Sequence, residues 1–296
     1  MTISSLHKTP KTQVMTVDVE DYFHVSAFEN NITRADWSQL ELRVEHNTYR
    51  LLELFEQHNV KSTFFTLGWV AERCPSLIKA IVEQGHELAS HGYSHKRATI
   101  MSEVQFRDDV SKSKQILEDA SGQAVIGYRA PSFSVNDSNT WVYDILIELG
   151  FEYSSSTYPI EHDLYGVPKW PRFKYQRPET LDGKGIIEIP VPTSRKNGQN
   201  IGIGGGGYFR LYPYWLSKKR IDSYLKAEQQ PYSFYFHPWE IDPKQPRVAG
   251  APLKSKLRHY LNLSRMEGKV IRLLEDYQWD TMKSVYLERQ KNIFCR

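Results

Sequence analysis

The chain has 296 residues, with 38 lysines and arginines against 35 carboxylates, a net charge of +3, and 40% hydrophobic, 25% charged and 13% aromatic residues. So small a charge excess excludes a nucleic-acid surface built on surplus cations, and no basic run interleaves with aromatics. Two cysteines, Cys74 and Cys295, exclude a disulfide scaffold and a thiolate zinc site, and no run approaches the ~18 apolar residues of a membrane helix.

The length suits one α/β barrel domain. Residues 1–12 are polar and read as a disordered lead-in, with no apolar core of a signal peptide, so the expected location is the cytoplasm. Gln13 to Val19 reads as a buried strand running into Glu20-Asp21-Tyr22-Phe23-His24. Three acidic groups at the end of an apolar strand are costly unless solvated or bound to something. Leu42 to Asn59 reads as a helix, Lys61 to Gly68 as a strand, Pro75 to Gln84 as a helix with proline near its start, and His86 to Ser90 as a short strand. This alternation predicts a parallel sheet covered by helices.

Ser102 to Ser121 is an amphipathic helix with a serine cap, ended by Gly122. Ala124 to Pro131 is the next strand, Ser138 to Leu149 a helix, and Phe151 to Ser156 a fifth strand. Tyr158 to Arg177 breaks the pattern with prolines and aromatics and reads as a long functional loop. Ile186 to Pro192 is a strand, and Asn197 to Gly207 is Gly-rich without the Gly-Lys-Ser/Thr of a phosphate loop. That Gly-rich stretch predicts either a close backbone approach or a mobile lid. Tyr214 to Gln229 is a helix, Tyr232 to Phe236 a strand delivering His237, and Ser255 to Asn262 and Ser264 to Tyr277 are the last helices.

His91 and His95 lie four residues apart after a strand, on a Gly-Tyr-Ser turn. Two imidazoles at this spacing can converge on one metal ion, although such a pair alone is more often ordinary surface or core. Four strand ends carry unusual polar groups: Asp18 with Glu20 and Asp21, the histidine pair, Arg129, and His237. In a parallel sheet the carboxyl ends of the strands share one face, where sites form.

The ordered set Thr16-Val-Asp18, His91-Gly-Tyr-Ser-His95, Arg129-Ala-Pro131, Glu188-Ile-Pro190 and His237-Pro238 resembles the polysaccharide deacetylases, carbohydrate esterase family 4 with the NodB homology domain. Within it the chain is similar to the peptidoglycan-deacetylase-like and exopolysaccharide-locus branch. Glu20 to His24, Tyr208-Phe209-Arg210 and His237 to Glu240 look like its exosortase-associated subgroup. The resemblance implies a distorted (β/α) barrel of about seven strands carrying long aromatic loops.

It also implies a divalent metal, Zn²⁺ by default with Co²⁺ or Ni²⁺ fitting, held by His91, His95 and one carboxylate. Asp18 would be the general base, Arg129 its orienting cation and His237 the general acid. Pro131, Tyr208 and Trp239 would lie at the substrate, an N-acetylated glycan or sugar precursor. Asp18 is followed by Val19 where the commonest motif has a second Asp, so the third ligand maps onto Glu20 or, in a looser register, Asp21. Glu20 ranks first, because residues two apart on a strand share a face. Ser132-Phe133 follow Pro131 where many members carry an aromatic directly.

Two other functions compete with N-deacetylation. A metal-independent cyclic amide hydrolase, as in allantoinase-like relatives, would lack ligand carboxylates or histidines. A non-catalytic carbohydrate-binding protein would have lost Asp18 or His237. All of these residues are present.

Overall fold

The computed structural model describes residues 12–162, 165–177 and 185–288. The expected lead-in before Thr12 and Cys295 lie outside them. Strand β1 (Thr12–Val19) has alternating sides. Val14 joins an inner apolar cluster, while Met15, Val17 and Val19 join the outer core under the helices. Burial on both faces explains why this strand is almost continuously apolar and β-branched.

Helix α1 (Val44–Gln57) leads to β2 (Thr63–Thr66), and the short α2 (Gly68–Arg73) and α3 (Pro75–Glu83) lead to β3 (Glu87–Ser90). Pro75 stands in the first turn of α3, where its missing N–H is no loss. Helix α4 (Glu103–Ser121) opens on a reciprocal capping box between Ser102 and Gln105 and closes at Gly122 in the left-handed conformation. After it come β4 (Gly127–Tyr128), α5 (Trp141–Glu148), β5 (Tyr153–Ser154), β6 (Tyr175–Gln176) and β7 (Ile187–Glu188). The hairpin β8 (Thr193–Lys196) and β9 (Gln199–Gly202), helices α6 (Gly206–Leu211) and α7 (Tyr214–Glu228), and β10 (Ser233–Phe236) follow. Helices α8 (Leu253–Tyr260) and α9 (Leu263–Asp276), β11 (Gln278–Asp280) and a short π-helical segment (Lys283–Glu288) come last among the described residues.

The sheet order is β10-β1-β2-β3-β4-β5-β7-β6, with β11 also on β1, and every pairing is parallel except β6 on β7. Seven strands, β10 through β7, form the curled (β/α) wall, in agreement with the expected number. Among the described residues no pairing joins β10 to β7, so the barrel is open there. The Gly-rich stretch sits in that gap. A Cβ on Gly204 would press on Val191 and Pro192, one on Gly205 (φ +101°) would enter the Tyr235 ring, and one on Gly206 would strike the Glu240 carboxylate. Close backbone approach is therefore the observed role of these glycines.

Several expected strands shrink to two residues, as at β4, β5 and β7, and α8 begins two residues earlier than expected, directly after Pro252. The hairpin β8–β9 was not expected. Its turn is Asn197-Gly198, both at positive φ, the pair that favours a two-residue hairpin.

Candidate metal and acid–base site

Inward-facing residues stack along each strand, and one step of two toward the carboxyl end carries each stack into the site. Val14 and Thr16 lead to Asp18, Ala89 to His91, Gly127 to Arg129, and Tyr235 to His237. The register levels these positions. Val19, Thr66, Ser90, Tyr128, Ser154 and Glu188 pair successively across the sheet, so Glu20, His91, Arg129 and Ser155 follow in the next layer. Val17 pairs with Phe236, which sets His237 level with Asp18.

Glu20, His91 and His95, all buried, offer three ligand atoms within 4.8 Å of one another. The His91 Nδ1–H donates to the Arg129 carbonyl at 2.8 Å, which fixes the tautomer and leaves Nε2 as the donor toward the group. His95 Nε2 stands 2.7 Å from Glu20 Oε2. The two do not meet at hydrogen-bond angles, and that buried oxygen has no hydrogen-bond partner. An orphaned buried carboxylate oxygen facing two imidazoles fits a divalent cation. Burial alone would raise the Glu20 carboxyl; the charges of His95 and His237 outweigh it and hold the group below the usual carboxylate range. Burial pushes His91 down to about 4, so it is neutral and able to ligate.

The loop carrying the histidines turns at Gly92 (φ +73°) and His95 (φ +50°). Asp109 of α4 fastens it, accepting from the Tyr93 N–H at 2.7 Å and the Ser94 N–H at 3.1 Å. Arg34 donates to the Ser94 carbonyl at 2.8 Å and to the His95 carbonyl at 3.2 Å. Neither Asp109 nor Arg34 has a local sequence signature.

Asp18 accepts a 2.6 Å hydrogen bond from Arg129 on Oδ1, which leaves Oδ2 facing His237 Nε2 at 4.0 Å. Arg129 is 2% exposed and also donates to Thr16 Oγ1 and Ser155, with its guanidinium 4.0 Å from the centre of the Phe65 ring. His237 donates through Nδ1 to Glu240 Oε1 at 2.8 Å, and its Nε2 lies 3.4 Å from Glu20 Oε1. Glu240 in turn receives Arg210 Nε at 2.7 Å. Burial would lower His237, but the Glu20 charge, the Glu240 hydrogen bond and charge, and Asp18 override it and raise the imidazole to about 9. Glu240 and Arg210 thus form the tautomer-setting arm of His237, which no spacing in the sequence assigns.

Four expected site residues lie outside the three-ligand group. Asp21 turns away from the histidines. Its Oδ2 accepts from the N–H groups of Arg43 and Val44 at the start of α1, and its Oδ1 from the Tyr22 N–H. A helix start needs such acceptors, so Asp21 is a capping residue, and among the described residues Glu20 is the carboxylate of the candidate ligand group. Trp239 is buried between His237 (ring centres 5.2 Å apart) and His259 (4.1 Å). Its Nε1–H donates to Glu20 Oε1 at 3.4 Å, so it braces the site. Pro131 is buried and opens the turn that puts Ser132 (φ +56°) and Phe133 (φ +49°) in the left-handed region. Tyr208 stands out on α6 and stacks on Tyr212.

His24, given no role by the sequence, lies beside the group. Its Nδ1 accepts from the Asp21 N–H at 2.8 Å, its ring contacts Trp37 and Trp69, and its buried Nε2 has no hydrogen-bond partner.

Two histidines and one carboxylate, flanked by an Asp–Arg pair and a His–Glu pair at the carboxyl ends of a curled parallel sheet, define an α/β half-barrel with a candidate metal and acid–base centre. Residues 35–154 match the polysaccharide deacetylase family, and residues 155–287 match a domain of unknown function, DUF3473. The boundary falls directly after β5, so both regions supply strands to one sheet.

Among relatives, the peptidoglycan deacetylase of Helicobacter pylori is 32% identical over 129 residues, 43% of this chain and 43% of that protein. The chain therefore spans less than half the length of that relative. A crystal structure from Mycobacterium smegmatis assigned to the polysaccharide deacetylases superposes with a TM-score of 0.59 at 20% identity, covering 96% of this chain and 93% of that one. An allantoinase structure superposes with a TM-score of 0.57 at 19% identity, covering 93% and 88%. These two likenesses show the fold.

Proposed function

We propose that the chain is a metal-dependent hydrolase that removes N-acetyl groups from an amino sugar in a polysaccharide or its precursor and releases acetate. The observation that carries this reading is the orphaned Glu20 Oε2 facing His91 and His95, with Asp18 and His237 flanking it. The similarity to a protein named peptidoglycan deacetylase supports the substrate class.

Glu20, His91 and His95 would hold the cation, and we assign Zn²⁺, with Co²⁺ or Ni²⁺ as alternatives of similar donor preference. A bound divalent cation polarises the amide carbonyl and makes water a stronger acid. Asp18 Oδ2 takes the proton of the attacking water while Oδ1 is held by Arg129. His237, charged at neutral pH and aimed by Glu240, gives its proton to the amide nitrogen as the carbon–nitrogen bond breaks. The amine and acetate then leave.

A metal-independent cyclic amide hydrolysis, which the allantoinase fold likeness would allow, leaves the orphaned carboxylate oxygen unexplained. The test is acetate release from N-acetylglucosamine oligomers, peptidoglycan fragments and nucleotide sugars, with and without a chelator. Release that a chelator stops and Zn²⁺ restores supports the reading. Hydrolysis of a cyclic amide without acetate release overturns it.

A further inference from the structure

Helix α8 buries one residue and leaves the others exposed or partly exposed. Only His259 is buried, whereas Leu253 is 82% and Leu257 64% exposed. The two leucines are four apart and so lie on one helix face. Between Asp242 and Glu267 the sequence carries six cations, Lys244, Arg247, Lys254, Lys256, Arg258 and Arg265, and no carboxylate.

The exposure belongs to a helix that is firmly held. His259 stacks on Trp239 and its Nε2 meets Gln245 Oε1 at 2.6 Å. The Tyr260 hydroxyl donates to the Pro246 carbonyl at 3.0 Å and accepts from the Val248 N–H at 2.9 Å. Arg210 donates to the carbonyls of Arg258, His259 and Leu261. That contact also fastens α6 to the end of α8, next to the half-exposed Leu211. Helix α8 packs on the Ser26–Phe28 turn, and the carboxylate that follows that turn, Glu29, is paired with Arg97 at 3.2 Å.

We propose that this face of α8 docks the protein on an anionic lipid surface. A hydrated anionic glycan would answer the cations but leave the leucines in water. A second copy of the chain would bring the same cations against each other. A lipid interface satisfies both, with the leucines at the acyl boundary and the cations at the headgroup phosphates. Among the described residues no helix is long and apolar enough to cross a membrane, so the contact is peripheral. The opposite face of α8 reaches His237 through His259 and Trp239, which sets the site beside the docked surface. This last consequence for substrate supply rests on the deacetylase reading; the docking itself does not.

The test is flotation of the full chain with vesicles of phosphatidylcholine alone and of phosphatidylcholine mixed with phosphatidylglycerol. The wild type should float with the anionic vesicles. Leu253→Ser with Leu257→Ser should weaken that binding about tenfold or more, and Lys254→Glu with Lys256→Glu should abolish the preference for anionic lipid. Both variants should keep the wild-type melting temperature and acetate release from soluble N-acetylglucosamine oligomers. A chain that floats but releases no acetate supports docking and removes the deacetylase reading. The docking proposal fails if the wild type stays with the soluble fraction, or if the leucine variant floats equally well. It also fails if the face instead retains a soluble anionic oligosaccharide independently of the leucines, or closes a dimer that the leucine variant dissolves.

Discussion

The Asp18 carboxylate has two oxygens with different surroundings, and this asymmetry makes it suitable as a base. Arg129 fixes Oδ1, while Oδ2 faces the acid–base cleft. Asp18→Asn keeps the shape and an acceptor for Arg129 but removes the basic oxygen. Acetate release should fall by about 10²–10⁴-fold, while metal per chain, measured by elemental analysis, stays at the wild-type value. On the other side of the cleft, Glu240 holds His237 in its proton-donating form. The charge and hydrogen bond of Glu240 raise the His237 pKa, so the protonated acid is present at lower pH and is lost as pH rises through the raised value. Glu240→Gln removes the largest partner on the Nδ1 side, so the alkaline limb of the pH–kcat profile should move to lower pH. An unmoved limb would assign that limb to another group. Arg210→Met, which leaves the buried Glu240 with His237 as its remaining charged partner, should also cost stability, read as a lower melting temperature.

At the scale of elements, much of the sheet was legible because strands buried on both faces read as continuous apolar runs, as in β1 and β10. The histidine pair was legible because it follows such a run directly. Long-range partners were not. Asp21 and Glu20 look alike in sequence, and the choice between them is made by the start of α1 more than 20 residues later. Glu240 and Arg210 are 30 residues apart, and the packing of α6 against the end of β10 brings them together. The β8–β9 hairpin did carry a local signal in Asn197-Gly198, which the surrounding glycines masked.

One element contact has a pH consequence. His86, just before β3, accepts from the Ser62 N–H at 3.2 Å and packs on Phe55 and Phe64. Burial, aided by Lys61, lowers it to about 4. The unfolded chain therefore takes up this proton first, near pH 6.5. The stability from the neutral ring is complete above that value and is lost as pH falls toward 4. His86→Asn keeps an acceptor for Ser62 but cannot titrate. In denaturant titrations the gap between wild type and variant should therefore narrow as pH falls from about 6.5 to 4.

For the whole molecule, the site is assembled from both ends of the chain. Asp18 lies in β1 and Glu20 directly after it, both ahead of the matched deacetylase region, and His237 directly follows β10, within the DUF3473 region. Strand β1 pairs with β2, β10 and β11, so residues 12–154 alone would leave one edge of β1 bare. A chain cut after Ser154 should lack cooperative unfolding by calorimetry. A cooperative transition in that fragment would show that the first region folds independently. Metal should act on the whole fold as well, since a ligand that binds only the native state adds about 2.7 kcal/mol at a hundredfold excess over its dissociation constant. The melting temperature should therefore rise with added Zn²⁺, and Glu20→Gln should remove the rise.

The central claim is a metal-dependent N-deacetylation at the Glu20, His91 and His95 group. Its most direct test is acetate released from an N-acetylglucosamine oligomer by the purified chain, before chelation, after chelation, and after returning Zn²⁺. Release, its loss and its recovery are expected in that order. Release that continues unchanged through chelation, with no metal bound to the chain, would contradict it.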